Sequence, residues 1–221
     1  MNKKQRVAEA ALEVIKPDLK IGIGTGSTVD CLIALLPTIA CPKFFVSSSL
    51  RTTEQLEGLG FEVRSLNDVG PLDVYIDGVD QVLPSYIALK GKGGAHTLEK
   101  VLATEAKKFV GMLTDDKQVN IFNEAIPVEV LPEARSAVSR RIVVMGGVPI
   151  YRQGKTDLGN DIIDVQGFEM TDPEALEEAL LQLCGVVEVG IFAKRRFDQL
   201  YIVDSFGKVI EKKYDREDLE S

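Results

Sequence analysis

The sequence predicts an α/β protein in which a Rossmann-like, mainly parallel sheet domain is joined to a smaller ferredoxin-like α+β domain. Two observations carry this prediction. In the first half of the 221-residue chain, short apolar segments alternate with amphipathic segments of about ten residues, which is the pattern of β-α-β units. After the segment PVEVLP at 127–132, the pattern changes to a β-α-β-β-α-β-like order, which is typical of a small α+β domain.

The larger domain is predicted to cover residues 1–127 and 201–221. Its first helix is indicated by Val7, Ala11 and Val14, whose spacing places them on one face, and Pro17 prevents its continuation. Ligands bind beyond the carboxyl ends of parallel strands, so functional residues are expected directly after the strands. The remaining predicted elements are strands at 19–24, 44–47, 74–76 and 109–113 and helices at 28–36, 53–59 and 97–107.

The smaller domain is predicted at 128–200. Asp172 is the expected N-cap of its second helix, and Pro173 the first helical residue. The chain then returns to the larger domain at 201–203, and the acidic tail at 214–221 is expected to fray. The predicted elements are helices at 134–145 and 173–183 and strands near Ile150 and at 162–165 and 186–191.

Composition argues against several classes of function. A net charge of −8 disfavours a nucleic-acid partner, because phosphate backbones require clustered basic residues. The amino terminus lacks the apolar core of a secretory signal, and no apolar run approaches the roughly 18 residues of a membrane span. Cys31, Cys41 and Cys184 show no Cys-x-x-Cys spacing, which favours a reducing cytoplasm and small core or near-surface positions for all three.

A glycine-rich turn at 22–28 lies between a predicted strand and a predicted helix. Free backbone amides, the helix dipole and two hydroxyls together predict an anion site. The spacing of Gly22, Gly24 and Gly26 does not match the dinucleotide fingerprint, and no acidic residue ends the second strand, so a dinucleotide is not expected. The alternative is that these glycines only allow a tight turn.

Two further polar segments follow predicted strands. The hydroxyls of 47–52 should reach the same edge of the sheet, although serine and threonine are also ordinary helix caps. Asp77 and Asp80 place two carboxylates three residues apart on a turn. Metal binding is the alternative for this pair, but no cluster of further ligands accompanies it. The single histidine, His96, is more typical of a structural or surface position than of a metal ligand.

The segment 90–100 combines a glycine-rich loop with a carboxylate. Lys90 beside glycines is suited to hold an enediolate oxygen, a sugar hydroxyl or a phosphate. Glu99 follows within a predicted helix, where it could act as a base beside a phosphorylated substrate. The same glutamate is also consistent with a solvated helical acid, so the hypothesis depends on its neighbours.

Taken in order, these motifs resemble ribose-5-phosphate isomerase type A almost from end to end. So many ordered motifs are highly specific to that family. The matching segments are GTGST at 24–28, SSS at 47–49, DGVD at 77–80, KGKGGA at 90–95 with EK at 99–100, DK at 116–117, PVEV at 127–130, ARSA at 134–137, GGVP at 146–149 and TDLGN at 156–160.

The resemblance implies reversible interconversion of D-ribose 5-phosphate and D-ribulose 5-phosphate in the pentose phosphate pathway, with no metal and no organic cofactor. It implies that Glu99 is the general base, which takes the C2 proton, leaves a cis-enediolate and returns the proton to C1. Lys90 and the amides that follow would stabilise the oxyanion. Asp77 and Asp80 would hold sugar hydroxyls and assist ring opening. The substrate-binding residues implied in the same way are Lys4, Thr25, Gly26, Ser27, Thr28, Gly78, Val79, Gly91, Lys92, Gly93 and Lys117.

Four positions depart from the family pattern: Leu50, Gln81, Lys92 and His96 replace the usual Asp, Glu, Gly and a hydrophobe. Lys92 adds a Cβ and a charge where a left-handed backbone would favour glycine. Two other functions remain open: a non-catalytic sugar-phosphate sensor, and a different sugar-phosphate enzyme such as an amino-sugar phosphate deaminase or an isomerase of another pentose. The resemblance also implies a homodimer or a tetramer.

Overall fold

The structure of the protein is a computed structural model that describes residues 2–214. The predicted fraying of the tail at 214–221 therefore lies, apart from Tyr214, outside the described residues. None of the helices between residues 2 and 214 has the length and apolar character that crossing a bilayer requires.

Seven α-helices and fourteen strands form within the described residues. The helices are α1 Lys3–Ala11, α2 Ser27–Leu35, α3 Leu50–Gly58, α4 Leu66–Val69, α5 His96–Glu105, α6 Arg135–Val144 and α7 Pro173–Leu181. The strands are β1 Ile21–Ile23, β2 Phe44–Ser47, β3 Glu62–Val63, β4 Leu72–Gly78, β5 Gln81–Val82, β6 Ala88–Leu89, β7 Ala106–Thr114, β8 Ile126–Val130, β9 Val148–Arg152, β10 Asp161–Gln166, β11 Val186–Val189, β12 Ile191–Phe192, β13 Gln199–Val203 and β14 Val209–Lys213.

The chain divides into two compact units, and their boundaries differ from the predicted ones. Within the described residues, the first unit contains 2–79, Val101–Gln118 and 197–214, while the second contains Asp80–Lys100 and Val119–Arg196. The segments 80–100 and 119–127 thus belong to the smaller unit. Strand pairing explains this, because β6 pairs with β12 and β8 pairs with β10 and β11.

The first unit is built on a seven-stranded sheet in the order β14-β13-β7-β4-β1-β2-β3. All neighbouring strands are parallel except the edge pair β13–β14, so the predicted mainly parallel sheet is confirmed. Its central strands are apolar because both faces are covered. Val7 and Ala11 of α1 are buried in the same core as Ile21, Val74 and Val110 of the sheet.

The second unit contains a four-stranded antiparallel sheet in the order β11-β8-β10-β9. With α6 and α7, the chain order is β-α-β-β-α-β, which confirms the smaller α+β domain. A separate three-stranded sheet, β12-β6-β5, carries the chain into the loop at 90–95. Asp172 caps α7 as predicted, because its side chain accepts a hydrogen bond from the Ala175 amide, and Pro173 is the first residue of the helix.

Candidate active site

The turn after β1 is shaped by a close approach between Gly24 and Asp77. A Cβ placed on Gly24 would lie 2.0 Å from the carboxylate carbon of Asp77, so only glycine fits at this position. The Gly24 amide donates to the carbonyl of Ile76 on the neighbouring strand β4, at 2.8 Å. Gly26 has a φ of 111°, which favours glycine, and it is the N-cap of α2. Gly24 and Gly26 therefore allow the tight turn, which was the alternative to an anion site for this motif.

Asp77 is fully buried at the end of β4. Its carboxylate accepts hydrogen bonds from the amides of Thr25 at 3.1 Å and Gly78 at 2.7 Å, and from the hydroxyl of Tyr75 at 2.6 Å. These bonds tie the end of β4 to the turn after β1. The Asp77 carboxylate therefore shapes the turn. Because the Thr25 amide donates to this carboxylate, that amide already has an acceptor within the protein.

Lys4 is brought to the amino terminus of α2. Its ammonium lies 2.7 Å from the hydroxyl of Ser27, the first residue of that helix. Ser27 is exposed and Lys4 is half-buried, whereas Thr28 is buried. A cation, a hydroxyl and the positive end of a helix dipole coincide here, and this combination suits a phosphate group.

Ser47 ends β2, the strand beside β1, and Ser48 and Ser49 follow it, so the three serines reach the predicted sheet edge. The Ser47 hydroxyl donates to the Ser49 carbonyl at 3.1 Å, whereas Ser49 makes the hydrogen bond of a helix cap. Ser49 is the N-cap of α3, where its hydroxyl accepts from the Thr52 amide at 3.1 Å, and the Thr52 hydroxyl donates to the carbonyl of Gly24 at 2.7 Å. Leu50 is the first residue of α3 and is exposed. This segment therefore supports the turn after β1.

Lys117 lies in a short 3-10 turn directly after β7. Its ammonium donates to the carbonyl of Val79, immediately beyond Gly78 at the end of β4. The Val79 side chain is buried, so only its backbone can take part in binding. In the first unit the structure thus brings together three sets of predicted residues: Asp77 with Thr25 and Gly78, Lys4 with Ser27, and Lys117 with Val79.

In the second unit, Lys90 and Glu99 form a buried ion pair. The Lys90 ammonium lies 3.1 Å from a carboxylate oxygen of Glu99, and each side chain is 4% exposed. Lys90 directly follows β6, and its amide donates to the carbonyl of Gly190 at 2.8 Å. Glu99 lies in the first turn of α5. The predicted oxyanion-stabilising cation and the predicted base are therefore direct neighbours.

The loop between these two residues takes its left-handed backbone at glycines. Gly91 and Gly94 have φ values of 106° and 74°, while the only non-glycine with a positive φ among residues 2–214 is Tyr86. The concern that Lys92 would require a left-handed backbone is therefore wrong. The Lys92 side chain is exposed, and its ammonium pairs with Glu124 at 2.5 Å.

The amides of this loop divide into two sets. The Lys92 amide donates to the carboxylate of Asp80 at 3.1 Å, and the Gly94 amide donates to the Gly91 carbonyl at 3.0 Å. The amides of Gly91, Gly93 and Ala95 donate to no acceptor within residues 2–214. Asp80, which is half-buried, thus holds the loop in place, and of the three residues with an undonated amide Gly93 is exposed while Gly91 and Ala95 are buried.

His96 is completely buried, as expected of a structural histidine. Burial, followed by the charges of Lys100, Arg152 and Lys90, lowers its pKa from 6.5 to about 3. The imidazole is therefore neutral near pH 7. It packs against the loop, because a Cβ on Gly91 would lie 3.0 Å from the imidazole ring.

Gln81 replaces the glutamate expected after Asp80, and its amide group both accepts and donates hydrogen bonds. The side-chain oxygen accepts from the amides of Asn123 at 3.0 Å and Glu124 at 3.4 Å, and the side-chain nitrogen donates to the Asn123 oxygen. Glutamine can serve as donor and acceptor at once, which a carboxylate cannot. The Gln81 side chain therefore orders the segment 123–124, which contains Glu124, the ion-pair partner of Lys92.

Sequence reasoning missed two buried polar clusters that hold α5. Glu129 accepts hydrogen bonds from Thr97 at 2.5 Å and from Thr156 and Asn160 at 2.8 Å. Lys100 donates to four acceptors on α7, β11 and β12. These are the carboxylates of Glu177 and Glu188 and the carbonyls of Val189 and Ile191, at 2.7 to 2.8 Å. The PVEV, TDLGN and EK motifs contain several residues of these clusters. The sequence did not reveal which residues pair, because the partners lie far apart along the chain.

Three or more His, Cys, Asp or Glu side chains come together in no arrangement suited to a metal ion between residues 2 and 214. The carboxylates of Asp77 and Asp80, the pair for which a metal was considered, accept hydrogen bonds from backbone amides, and that of Asp77 also accepts one from the Tyr75 hydroxyl.

Comparison with known proteins identifies the family. The family model described as Ribose 5-phosphate isomerase A (phosphoriboisomerase A) matches residues 44–207. The chain belongs to the ribose 5-phosphate isomerase A family. A relative named Ribose-5-phosphate isomerase A from Histophilus somni is 44% identical over 216 residues, which are 96% of this chain and 99% of the relative. A second, from Haemophilus ducreyi, is 42% identical over 95% of this chain and 97% of its own.

Solved structures of the ribose 5-phosphate isomerase A family share the fold. The ribose 5 phosphate isomerase A from Neisseria gonorrhoeae is 38% identical, with a TM-score of 0.92 and coverage of 97% of each chain. A D-ribose-5-phosphate isomerase in complex with phospho-erythronic acid is 30% identical, with a TM-score of 0.90 and coverage of 96% of this chain and all of its own. The resemblance carried by the sequence motifs is confirmed.

Proposed function

We propose that this chain catalyses the reversible aldose–ketose isomerisation of D-ribose 5-phosphate and D-ribulose 5-phosphate. The observation that carries the proposal is the buried pair of Lys90 and Glu99, at 3.1 Å, beside a loop in which the amides of Gly91, Gly93 and Ala95 donate to no acceptor within residues 2–214. Such an arrangement supplies a base and preorganised donors for a developing negative charge. Membership of the family agrees with this chemistry.

Glu99 is the base in this proposal. It removes the C2 proton of the open aldose to give a cis-enediolate. The hydroxyl proton then passes from O2 to O1, and Glu99 returns its proton to C1 to give the ketose. As Glu99 takes up the proton, the negative charge moves from its carboxylate to the enediolate oxygens. Lys90 pairs with the carboxylate beforehand and with the oxyanion afterwards, so its charge is balanced throughout. The Gly91 and Gly93 amides add two neutral donors.

The remaining residues bind substrate. Lys4 and the turn at 25–28 hold the phosphate, since they combine a cation, hydroxyls and a helix amino terminus. Lys117 and the backbone of Gly78 and Val79 contact the sugar, together with Lys92. Asp80 is the better candidate of the two aspartates for contact with a sugar hydroxyl, because it is half-buried. Asp77 acts by shaping the turn.

A related isomerase has been solved with phospho-erythronic acid. That compound carries a carboxylate at one end and a phosphate at the other, so it presents two anionic groups to a protein. The two groups correspond chemically to the enediolate and the phosphate of the proposed reaction.

We place the reaction in the cytoplasm, in a homodimer or tetramer. Cys31, Cys41 and Cys184 are free thiols, which suits a reducing compartment. Exposed apolar side chains on α6 and β9 support self-association, because such residues are typical of subunit interfaces. They include Val143, Val144, Val148 and Ile150.

The proposal is tested by a substrate panel with the purified protein in the presence of a metal chelator. Ketose formation from ribose 5-phosphate, with little from arabinose 5-phosphate and no ammonia from glucosamine 6-phosphate, is expected. Binding of ribose 5-phosphate without turnover would favour the sensor. Release of ammonia would favour the deaminase. Faster turnover of another pentose phosphate would show that this compound, and not ribose 5-phosphate, is the preferred substrate.

A further inference from the structure

Arg152, the last residue of β9, holds the loop beside Lys90 through its carbonyl groups. One terminal nitrogen of its guanidinium donates to the carbonyl of Gly91 at 3.0 Å and to that of Lys92 at 3.1 Å. The other side of the guanidinium faces Asp164 on β10, where Nε donates to a carboxylate oxygen at 2.8 Å and Nη2 to the second oxygen. Asp164 thus fixes the plane and direction of the guanidinium.

The same strand supports the loop by packing. A Cβ on Gly94 would lie 3.1 Å from the terminal methyl of Ile162, which is buried. Ile162 and Asp164 are two residues apart on β10, so both point to one face of the sheet. Strand β10 therefore holds the far end of the loop directly and the near end through Arg152.

Peptide planarity connects Arg152 to the loop amides. Each trans peptide holds its C=O and the following N–H in one rigid plane, where the two groups point in opposite directions. The Gly91 carbonyl shares its plane with the Lys92 amide, which donates to Asp80. The Lys92 carbonyl shares its plane with the Gly93 amide, which donates to no acceptor within residues 2–214. By binding both carbonyls, Arg152 directs the N–H of Gly93 away from the guanidinium group.

We propose that Arg152, held by Asp164, is a positioning residue that fixes the Gly93 amide as a donor to the enediolate oxyanion. This inference rests on the proposed function. Arg152 acts through the loop backbone and is not a catalytic residue. Because the oxyanion develops only during the reaction, the loss of Arg152 should weaken the transition state more than the bound substrate.

The test is steady-state kinetics of Arg152→Ala with ribose 5-phosphate. We expect kcat to fall about 10-fold to 100-fold while KM changes by less than about threefold, since a misplaced donor costs less than the roughly 100-fold or more of a deleted one. Millimolar guanidinium should restore part of kcat in a saturable manner, because it can occupy the space left by the side chain. Asp164→Asn, which weakens the hold on the guanidinium, should lower kcat to a smaller extent.

Arg135→Ala is the matched control. Arg135 stacks on Tyr151 and pairs with Asp161 at 3.6 Å on the same pair of strands, and neither contact involves the loop. Its kcat should be unchanged, with or without guanidinium. If Arg152→Ala does not fold, Arg152→Lys replaces it, because lysine cannot bridge a carboxylate and two carbonyls at once.

Two results would overturn the inference: an unchanged kcat in the Arg152 variant, or a loss that appears only in KM and does not respond to guanidinium. Failure of the proposed function is separately visible. In that case the wild-type protein itself would not isomerise ribose 5-phosphate.

Discussion

The ammonium of Lys90 lies 3.1 Å from the carboxylate of Glu99, and both side chains are withdrawn from solvent. Two opposite charges in this position compensate each other's loss of hydration. Removing one partner leaves the other as a buried, uncompensated charge. Removing both is far less costly. The relationship therefore predicts different outcomes for stability and for catalysis.

Lys90→Met should lower the free energy of unfolding by about 3 kcal/mol, because the Glu99 carboxylate loses its partner. The double variant Lys90→Met with Glu99→Gln should recover most of the lost free energy of unfolding. The single variant and the double variant should both be inactive. Urea unfolding of the single variants and the double variant measures the coupling. A double variant as unstable as the sum of the singles would contradict the pairing.

Lys100→Met should also destabilise the protein by about 3 kcal/mol, because Glu177 and Glu188 would then share a buried site without a cation. The matched control is Lys107→Met, which removes an exposed pair with Asp73 and should cost less than about 1 kcal/mol. Thermal and urea unfolding compare the two variants. Equal losses would show that the Lys100 cluster contributes no more than a surface ion pair.

His96 should make the protein less stable in acid. Its folded pKa is about 3 and its ordinary value is 6.5, so between these pH values the unfolded chain binds a proton that the folded chain does not. Stability is then lost as the pH falls below 6.5, by about 1.4 kcal/mol per pH unit from this group. Since His96 is the only histidine, His96→Leu isolates the effect.

The measurement for His96 is the free energy of unfolding of wild type and His96→Leu at pH 7 and pH 4.5. The difference between the two proteins should change by about 2 to 3 kcal/mol in favour of the variant at the lower pH. A constant difference across this range would mean that His96 protonates with little cost in the folded protein.

Lys92→Gly should change kcat/KM by less than about threefold. Lys92 does not occupy a left-handed position, and its pair with Glu124 is exposed, so it contributes little to the loop geometry. Kinetics with ribose 5-phosphate test this, with Lys92→Ala as the control for added backbone freedom. A larger loss, shared by both variants and confined to KM, would instead show that substrate binding depends strongly on the Lys92 side chain.

Local patterns predicted the elements that bury continuous apolar faces. Strands β1, β2, β4 and β7 were predicted because their residues are apolar and covered on both sides. Helix α1 begins at Lys3, earlier than its apolar residues indicate, because Asn2 and Gln5 form a capping box there. Strand β14 is a charged, exposed edge and has no apolar alternation to detect.

Pairing between distant segments could not be predicted from one sequence. The two-residue strands β5, β6 and β12 are too short for periodicity, and their antiparallel pairing assigns 80–100 to the smaller unit. Family motifs pointed to Lys90 and Glu99 separately, and the structure shows that their side chains form an ion pair. The hold of Arg152 on Gly91 spans 61 positions of the chain, so no local pattern reveals it.

The central claim is that Glu99 moves the proton between C2 and C1. Its most direct test is turnover of ribose 5-phosphate in deuterated water by wild type and Glu99→Gln, with substrate binding measured for both. Wild type should form ketose and exchange deuterium at carbon, whereas the variant should bind substrate, remain folded and lose at least about 1000-fold in both rates. Exchange and turnover that persist in Glu99→Gln within tenfold of wild type would contradict the claim.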